Sequence, residues 1–143
     1  MKILVAGGAG YIGSVTTQML CDADHQVVVF DNLERGYRPA VDPRAHFIQG
    51  DLRNKQDIQS ALEVEQPDAI IHFAAYIEVG ESMKEPLPFF ENNVTGSLNL
   101  MQAMVETGCK KLIFSSTCAT YGTPEKIPMD ASLPQHPANV YGE

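Results

Sequence analysis

The sequence predicts an α/β fold with a doubly wound, parallel sheet. Three observations carry this expectation. Short apolar runs alternate with helix-patterned stretches along the whole chain. The runs are apolar on both faces, as strands covered on both sides of a sheet must be. Each run ends in glycine, aspartate, alanine or serine, residues suited to a turn or to a site at a strand's carboxyl end. Alternation of this kind implies right-handed crossovers between parallel strands.

The elements follow in order. Lys2-Ile3-Leu4-Val5-Ala6 is a first strand, stopped by Gly7-Gly8. Tyr11 to Asp22 reads as a helix. Val27-Val28-Val29-Phe30 is a β-branched second strand ending at Asp31-Asn32, and Arg35-Gly36 and Arg38-Pro39 mark the loop after it. His46-Phe47-Ile48-Gln49 is a third strand, closed by Gly50-Asp51. Ile58, Ala61 and Leu62 fall at helical spacing before Pro67. Ala69 to Phe73 is a fourth strand. A long helix is expected from about Pro88 to Thr107, with Val94, Leu98, Met101 and Val105 on one stripe and Gly108 as its terminator. Lys111 to Ser115 gives a fifth strand. No linker or repeat interrupts the pattern, so residues 1–143 form one domain.

Composition narrows the function. Of 143 residues, 44% are apolar, enough for a core, and the net charge of −8 comes without a basic stripe. Nucleic acid and anionic membrane surfaces are therefore not expected partners. Cys21, Cys109 and Cys118 fit no metal spacing, and no metal is expected. Three free thiols and no secretory signal fit a cytoplasmic protein.

Gly7-Gly8-Ala9-Gly10-Tyr11-Ile12-Gly13 matches G-x-x-G-x-x-G, and from Gly8 it also matches G-x-G-x-x-G. A glycine triplet alone is weak, but this one leaves a strand and opens a helix. Unpaired N–H groups and the helix dipole there favour a pyrophosphate. Asp31 ends the second strand eighteen residues after Gly13. A carboxylate so placed accepts ribose hydroxyls and repels a 2′-phosphate, so the expected cofactor is NAD rather than NADP. Asp51 could meet the adenine amino group while Leu52 covers the ring, or Asp51 could cap the next helix. Phe73-Ala74-Ala75 ends the fourth strand with two small residues that let backbone approach a cofactor.

These residues resemble the extended short-chain dehydrogenase/reductase family, with its Rossmann-type NAD-binding domain. Within it the UDP-glucose 4-epimerase branch is most similar. The likeness rests on Ala6–Ser14, His72-Phe73-Ala74-Ala75, Val79-Gly80-Glu81-Ser82, Asn92–Gly96, Phe114–Thr117 and Ala119-Thr120-Tyr121-Gly122. The resemblance implies cofactor contacts from Gly7, Gly10, Tyr11, Ile12, Gly13, Asp31, Asn32, Asp51, Leu52, Phe73, Ala74, Ala75, Asn92, Ser115 and Ser116. It implies that Thr117 supplies the hydroxyl that bonds the sugar's reacting oxygen. It also implies that Tyr141 is the catalytic base of a Tyr-x-x-x-Lys pair and a cofactor contact. The alternative readings are that Asn92 is a polar residue near a helix start and that Thr117 satisfies local backbone at a strand end.

The implied reaction interconverts UDP-glucose and UDP-galactose by removing a hydride at C4 and returning it to the other face. Three departures stand out. The chain reaches only Gly142-Glu143, so the lysine and a C-terminal substrate domain are expected to lie outside an N-terminal, incomplete portion that is inactive alone. Ile77 occupies the place of a phosphate-touching lysine, and Cys118 follows the expected hydroxyl. Cys118-Ala119 also replaces the Asp-Glu pair of the related dehydratases. Another epimerase or decarboxylase of the family remains an alternative, as does a non-catalytic dinucleotide-binding module. Homodimerisation or self-association is expected through the long helix.

Overall fold

A computed structural model describes residues 1–143. Strands β1 (Lys2–Ala6), β2 (Gln26–Asp31), β3 (His46–Gln49), β4 (Ala69–His72) and β5 (Leu112–Phe114) form one sheet in the order β3-β2-β1-β4-β5. Every pairing is parallel; Leu4 pairs with both Val28 and Ile70, and Ile71 with Ile113. The doubly wound expectation holds. The order reverses at β1, so the crevice beyond β1 and β4 is the topological switch point where such sheets take ligands.

Helices cover both faces. Residues alternate along each strand, and two cores result. On one face Leu4, Val28, Phe30 and Ile70 pack with Ile58 and Leu62 of α2 (Lys55–Glu65) and with Leu100 and Ala103 of the last helix. On the other face Ile3, Val5, Val27, Val29 and Ile71 pack with Cys21 of α1 (Tyr11–Asp22). Asn54 caps α2 by accepting from the Gln56 N–H, and Gln66, with φ 45°, ends it in the left-handed region.

The expected long helix is more complex. After the short α3 (Val79–Ser82), α4 (Pro86–Phe89) runs into a π-helical turn (Phe90–Thr95) and then α5 (Gly96–Thr107), which ends at Gly108 with φ 78°. Its core face is Gly96, Leu100, Ala103 and Met104. The stripe Val94, Leu98, Met101 and Val105 is the outward one, between 43% and 82% exposed. The helix is apolar on two sides, and packing against α2 and the sheet selects the side with small residues. β5 is an edge strand, and its Ile113 and Phe114 are exposed. The three cysteines are free thiols, and no helix is long and apolar enough to cross a membrane.

Candidate functional site

Every strand delivers its carboxyl end to the same side of the sheet. Two clefts open there and share one wall, Phe73-Ala74-Ala75 at the end of β4.

The first cleft lies over β1, β2 and β3. Gly7, with φ 81°, bends the chain out of β1, and a Cβ on it would stand 2.5 Å from the Ala74 nitrogen. A Cβ on Gly13 would collide with the Gly7 carbonyl, so these two glycines are demanded by the fold itself. Gly10 is not: a Cβ there would lie 3.4 Å from its nearest neighbour, yet Gly10 lines the cleft. The first hydrogen bond at the start of α1 is Ser14 N–H to the Gly10 carbonyl, 2.9 Å. The N–H groups of Tyr11, Ile12 and Gly13 therefore begin the helix without an acceptor, as a pyrophosphate site requires. The Tyr11 and Ile12 side chains stand exposed outside the cleft walls.

Asp31 is buried at the cleft floor. Its Oδ2 accepts from the Ala9 N–H at 2.9 Å and its Oδ1 from the Leu33 N–H at 2.8 Å. Each carboxylate oxygen keeps a second lone pair for a ligand hydroxyl. A Cβ on Gly36 would approach Oδ1 to 2.5 Å, so glycine keeps that side of the carboxylate open. Asn32 donates to Asp51 Oδ2 at 3.1 Å.

Asp51 is not the cap of α2, because Asn54 holds that place. Arg53 grips Asp51 with Nε at 3.0 Å and Nη2 at 2.6 Å. That pair holds the Asp51 carboxyl down at about 2. Leu52 lines the cleft while belonging to the core.

Sequence reasoning missed the cleft's rim. Tyr76 donates its hydroxyl to Glu34 Oε2 at 2.6 Å and accepts from Arg53 Nη1 at 3.2 Å. The Tyr76 hydrogen bond holds the Glu34 carboxyl below its ordinary value, and burial pushes the Tyr76 phenol up. The Arg35 guanidinium sits 5.0 Å over the Tyr76 ring and pairs with Glu78 at 2.6 Å. Ile77 is exposed beside this cluster. No spacing rule signals it, since its members come from three strand-end loops.

The second cleft lies over β4 and β5. It gathers Ser115, Ser116, Thr117 and Tyr141, with His72, Asn93 and Ser97 behind them. Thr117 accepts from the Ala119 N–H at 3.1 Å, capping the short turn Cys118–Tyr121, so it does satisfy local backbone. Its hydroxyl proton stays free to donate. Gly142 brings Tyr141 to this turn, because a Cβ on Gly142 would lie 2.6 Å from the Ala119 carbonyl. Asn92 lines the first cleft and donates to Asn93 at 2.9 Å. His72 is buried and unable to hold a proton easily; burial pushes it down to about 4.

The model of the NAD dependent epimerase/dehydratase family matches residues 3–143. The chain belongs to that family. Among its relatives, the UDP-glucose 4-epimerase of Lacticaseibacillus casei is 52% identical over 143 residues, covering 100% of this chain and 43% of its own length. The crystal structure of UDP-glucose 4-epimerase from Brucella ovis in complex with NAD superimposes with a TM-score of 0.95 at 41% identity, over 99% of this chain and 43% of that one. That of the Thermotoga maritima enzyme with UDP-glucose gives 0.94 at 34%, over 99% and 47%. The chain thus spans about two fifths of the length of the curated family members it matches.

Proposed function

We propose that this chain is the dinucleotide-binding part of an epimerase that interconverts UDP-glucose and UDP-galactose, with NAD as its cofactor. The observation that carries the reading is the pair of clefts joined by Phe73-Ala74-Ala75, one equipped for an adenosine and the other for a reacting sugar. The residues present fit NAD: the start of α1 offers unpaired N–H groups, and Gly10 leaves room that the fold itself does not need.

In this reading the N–H groups opening α1 hold the pyrophosphate. Asp31 accepts the ribose hydroxyls, while Asp51 and Leu52 flank the adenine. Ser115 and Ser116 line the nicotinamide end. Bound NAD would supply the hydride acceptor and donor at sugar C4. Thr117 donates a hydrogen bond to the reacting oxygen and keeps its proton, and Tyr141 receives the proton that leaves that oxygen. Cys118-Ala119 offers no carboxylate for removing water, which favours epimerisation over dehydration.

Calorimetric titration with NAD and NADP tests the cofactor assignment. NAD binds more tightly, and Asp31→Ala erases the difference. Equal affinity of the unmodified chain for both would sink it.

The exposed stripe on α5 supports self-association of the chain. Met101 is 43% exposed, so Met101→Glu should leave the circular dichroism spectrum intact and reduce the mass seen in light scattering at tens of micromolar. An unmodified chain that is monomeric there contradicts this part of the reading.

A further inference from the structure

Asp51 stands where a carboxylate could meet an adenine amino group, yet that carboxylate is filled from inside the protein. Its Oδ1 accepts from the Arg53 backbone N–H at 2.8 Å and from Arg53 Nε at 3.0 Å. Its Oδ2 accepts from Arg53 Nη2 at 2.6 Å and from Asn32 Nδ2 at 3.1 Å. A carboxylate offers about four lone-pair positions, and these donors occupy them.

The donors are committed elsewhere too. The Arg53 fork takes both oxygens of Asp51 at once, the strong form of such a contact. The same guanidinium donates to Glu34 Oε2 at 2.9 Å and to the Tyr76 hydroxyl at 3.2 Å. Turning Arg53 away from Asp51 therefore disturbs its bonds to Glu34 and Tyr76 as well. Asn32 donates from the same Nδ2 to Glu34 at 3.2 Å, and its Oδ1 accepts from the Glu34 N–H at 2.9 Å. Leu52, beside Asp51, is fixed without engaging any lone pair of that carboxylate. Asn99 of α5 donates its Nδ2 to the Leu52 and Arg53 carbonyls at 2.8 and 3.2 Å, and Leu52 lines the cleft.

We propose that Arg53 is a specificity-determining residue: by filling the Asp51 carboxylate it leaves the first cleft blind to the 6-amino group of a bound base. A purine is held there by its rings against Leu52, and a dinucleotide is accepted with or without that amino group. The proposal deepens, and rests on, the dinucleotide reading above. A site built to bond a ligand's N–H group rejects the analogue lacking it, because its own polar group is left unpaired. Asp51 already has its partners, so an analogue without the amino group leaves nothing unpaired.

The test titrates the unmodified chain and Arg53→Ala by calorimetry with two ligands. One is NAD. The other is nicotinamide purine dinucleotide, in which hydrogen replaces the 6-amino group and the ring nitrogens are unchanged. A hydrogen bond to a charged acceptor is worth about tenfold or more in affinity. The unmodified chain should bind the two ligands within about threefold, less than one such bond. Arg53→Ala withdraws Nε and Nη2 from Asp51 and frees a lone pair on each oxygen, so it should prefer NAD by about tenfold. A preference for NAD of about tenfold or more in the unmodified chain overturns the proposal. So does a preference that does not rise in Arg53→Ala. If Arg53→Ala lacks the circular dichroism spectrum of the unmodified chain, Arg53→Lys takes its place under the same criterion. Its single nitrogen replaces the two that grip Asp51. Binding of neither ligand by the unmodified chain overturns the functional reading and the proposal with it, whereas NAD bound with a strong preference overturns the proposal alone.

Discussion

The first cleft is built from groups that already hold one another, whereas the second is built from groups that mostly face solvent. Asn32, Glu34, Asp51, Arg53 and Tyr76 form a connected network around the first, and backbone N–H groups of Ala9 and Leu33 hold Asp31 beside it. Ser115 and Ser116 are exposed at the edge of the sheet, and Thr117 bonds only its own turn. The difference teaches where preorganisation resides. A wall over β1, β2 and β3 costs little to keep in shape, because Phe30 and Leu52 serve the core as well. A wall over an edge strand keeps its hydroxyls available but gains little rigidity from them.

The largest way to break this comparison is at the glycine turn. Gly13→Ala forces a Cβ into the Gly7 carbonyl and should cost about 3 kcal/mol, the upper range for overpacking. Denaturant unfolding would measure it. Gly10→Ala has room for its methyl within the fold, so it should spare stability and abolish NAD binding. If both variants lose stability equally, Gly10 is structural after all.

Acid should separate the two clefts. His72, behind the second, is held down to about 4 by burial from an ordinary 6.5. Its neutral form is the folded one, so this contribution is complete above about 6.5 and is lost as pH falls towards 4. The loss amounts to about 3 kcal/mol, and His72→Phe should flatten that part of the profile. Asp51, in the first cleft, is held down to about 2 by Arg53. Its contribution is present above its unfolded value near 4 and is lost between 4 and 2. Partial exposure makes it smaller than that of His72. Arg53→Gln should remove the lower limb only. Loss of the upper limb in Arg53→Gln would mean that the clefts are not independent.

The smallest effect belongs to Thr117. Thr117→Ala removes a cap on a short exposed turn and should cost about 1 kcal/mol or less. A loss of several kcal/mol on thermal unfolding would show that the second cleft is as preorganised as the first.

The sheet was legible because each strand carries its own apolar run, and Gly7, Gly13 and Asp31 were legible because local backbone geometry demands them. The face of α5 was not. Leu98 and Met101 make as good a stripe as Leu100 and Met104, and only contact with α2 chooses between them. Tyr76, Arg53 and Glu34 were invisible because three loops far apart in sequence bring them together.

The strand order has a consequence for how the chain is made. β1 lies between β2 and β4, with Leu4 and Val5 fully buried. On the ribosome β1 acquires β2 as soon as Asp31 has emerged, but its other edge waits for His72, forty-one residues later. At synthesis rates of 5–20 residues per second that wait is about 2 to 8 seconds. Throughout it, one of the most apolar segments of the protein presents a bare pairing edge to every neighbouring nascent chain.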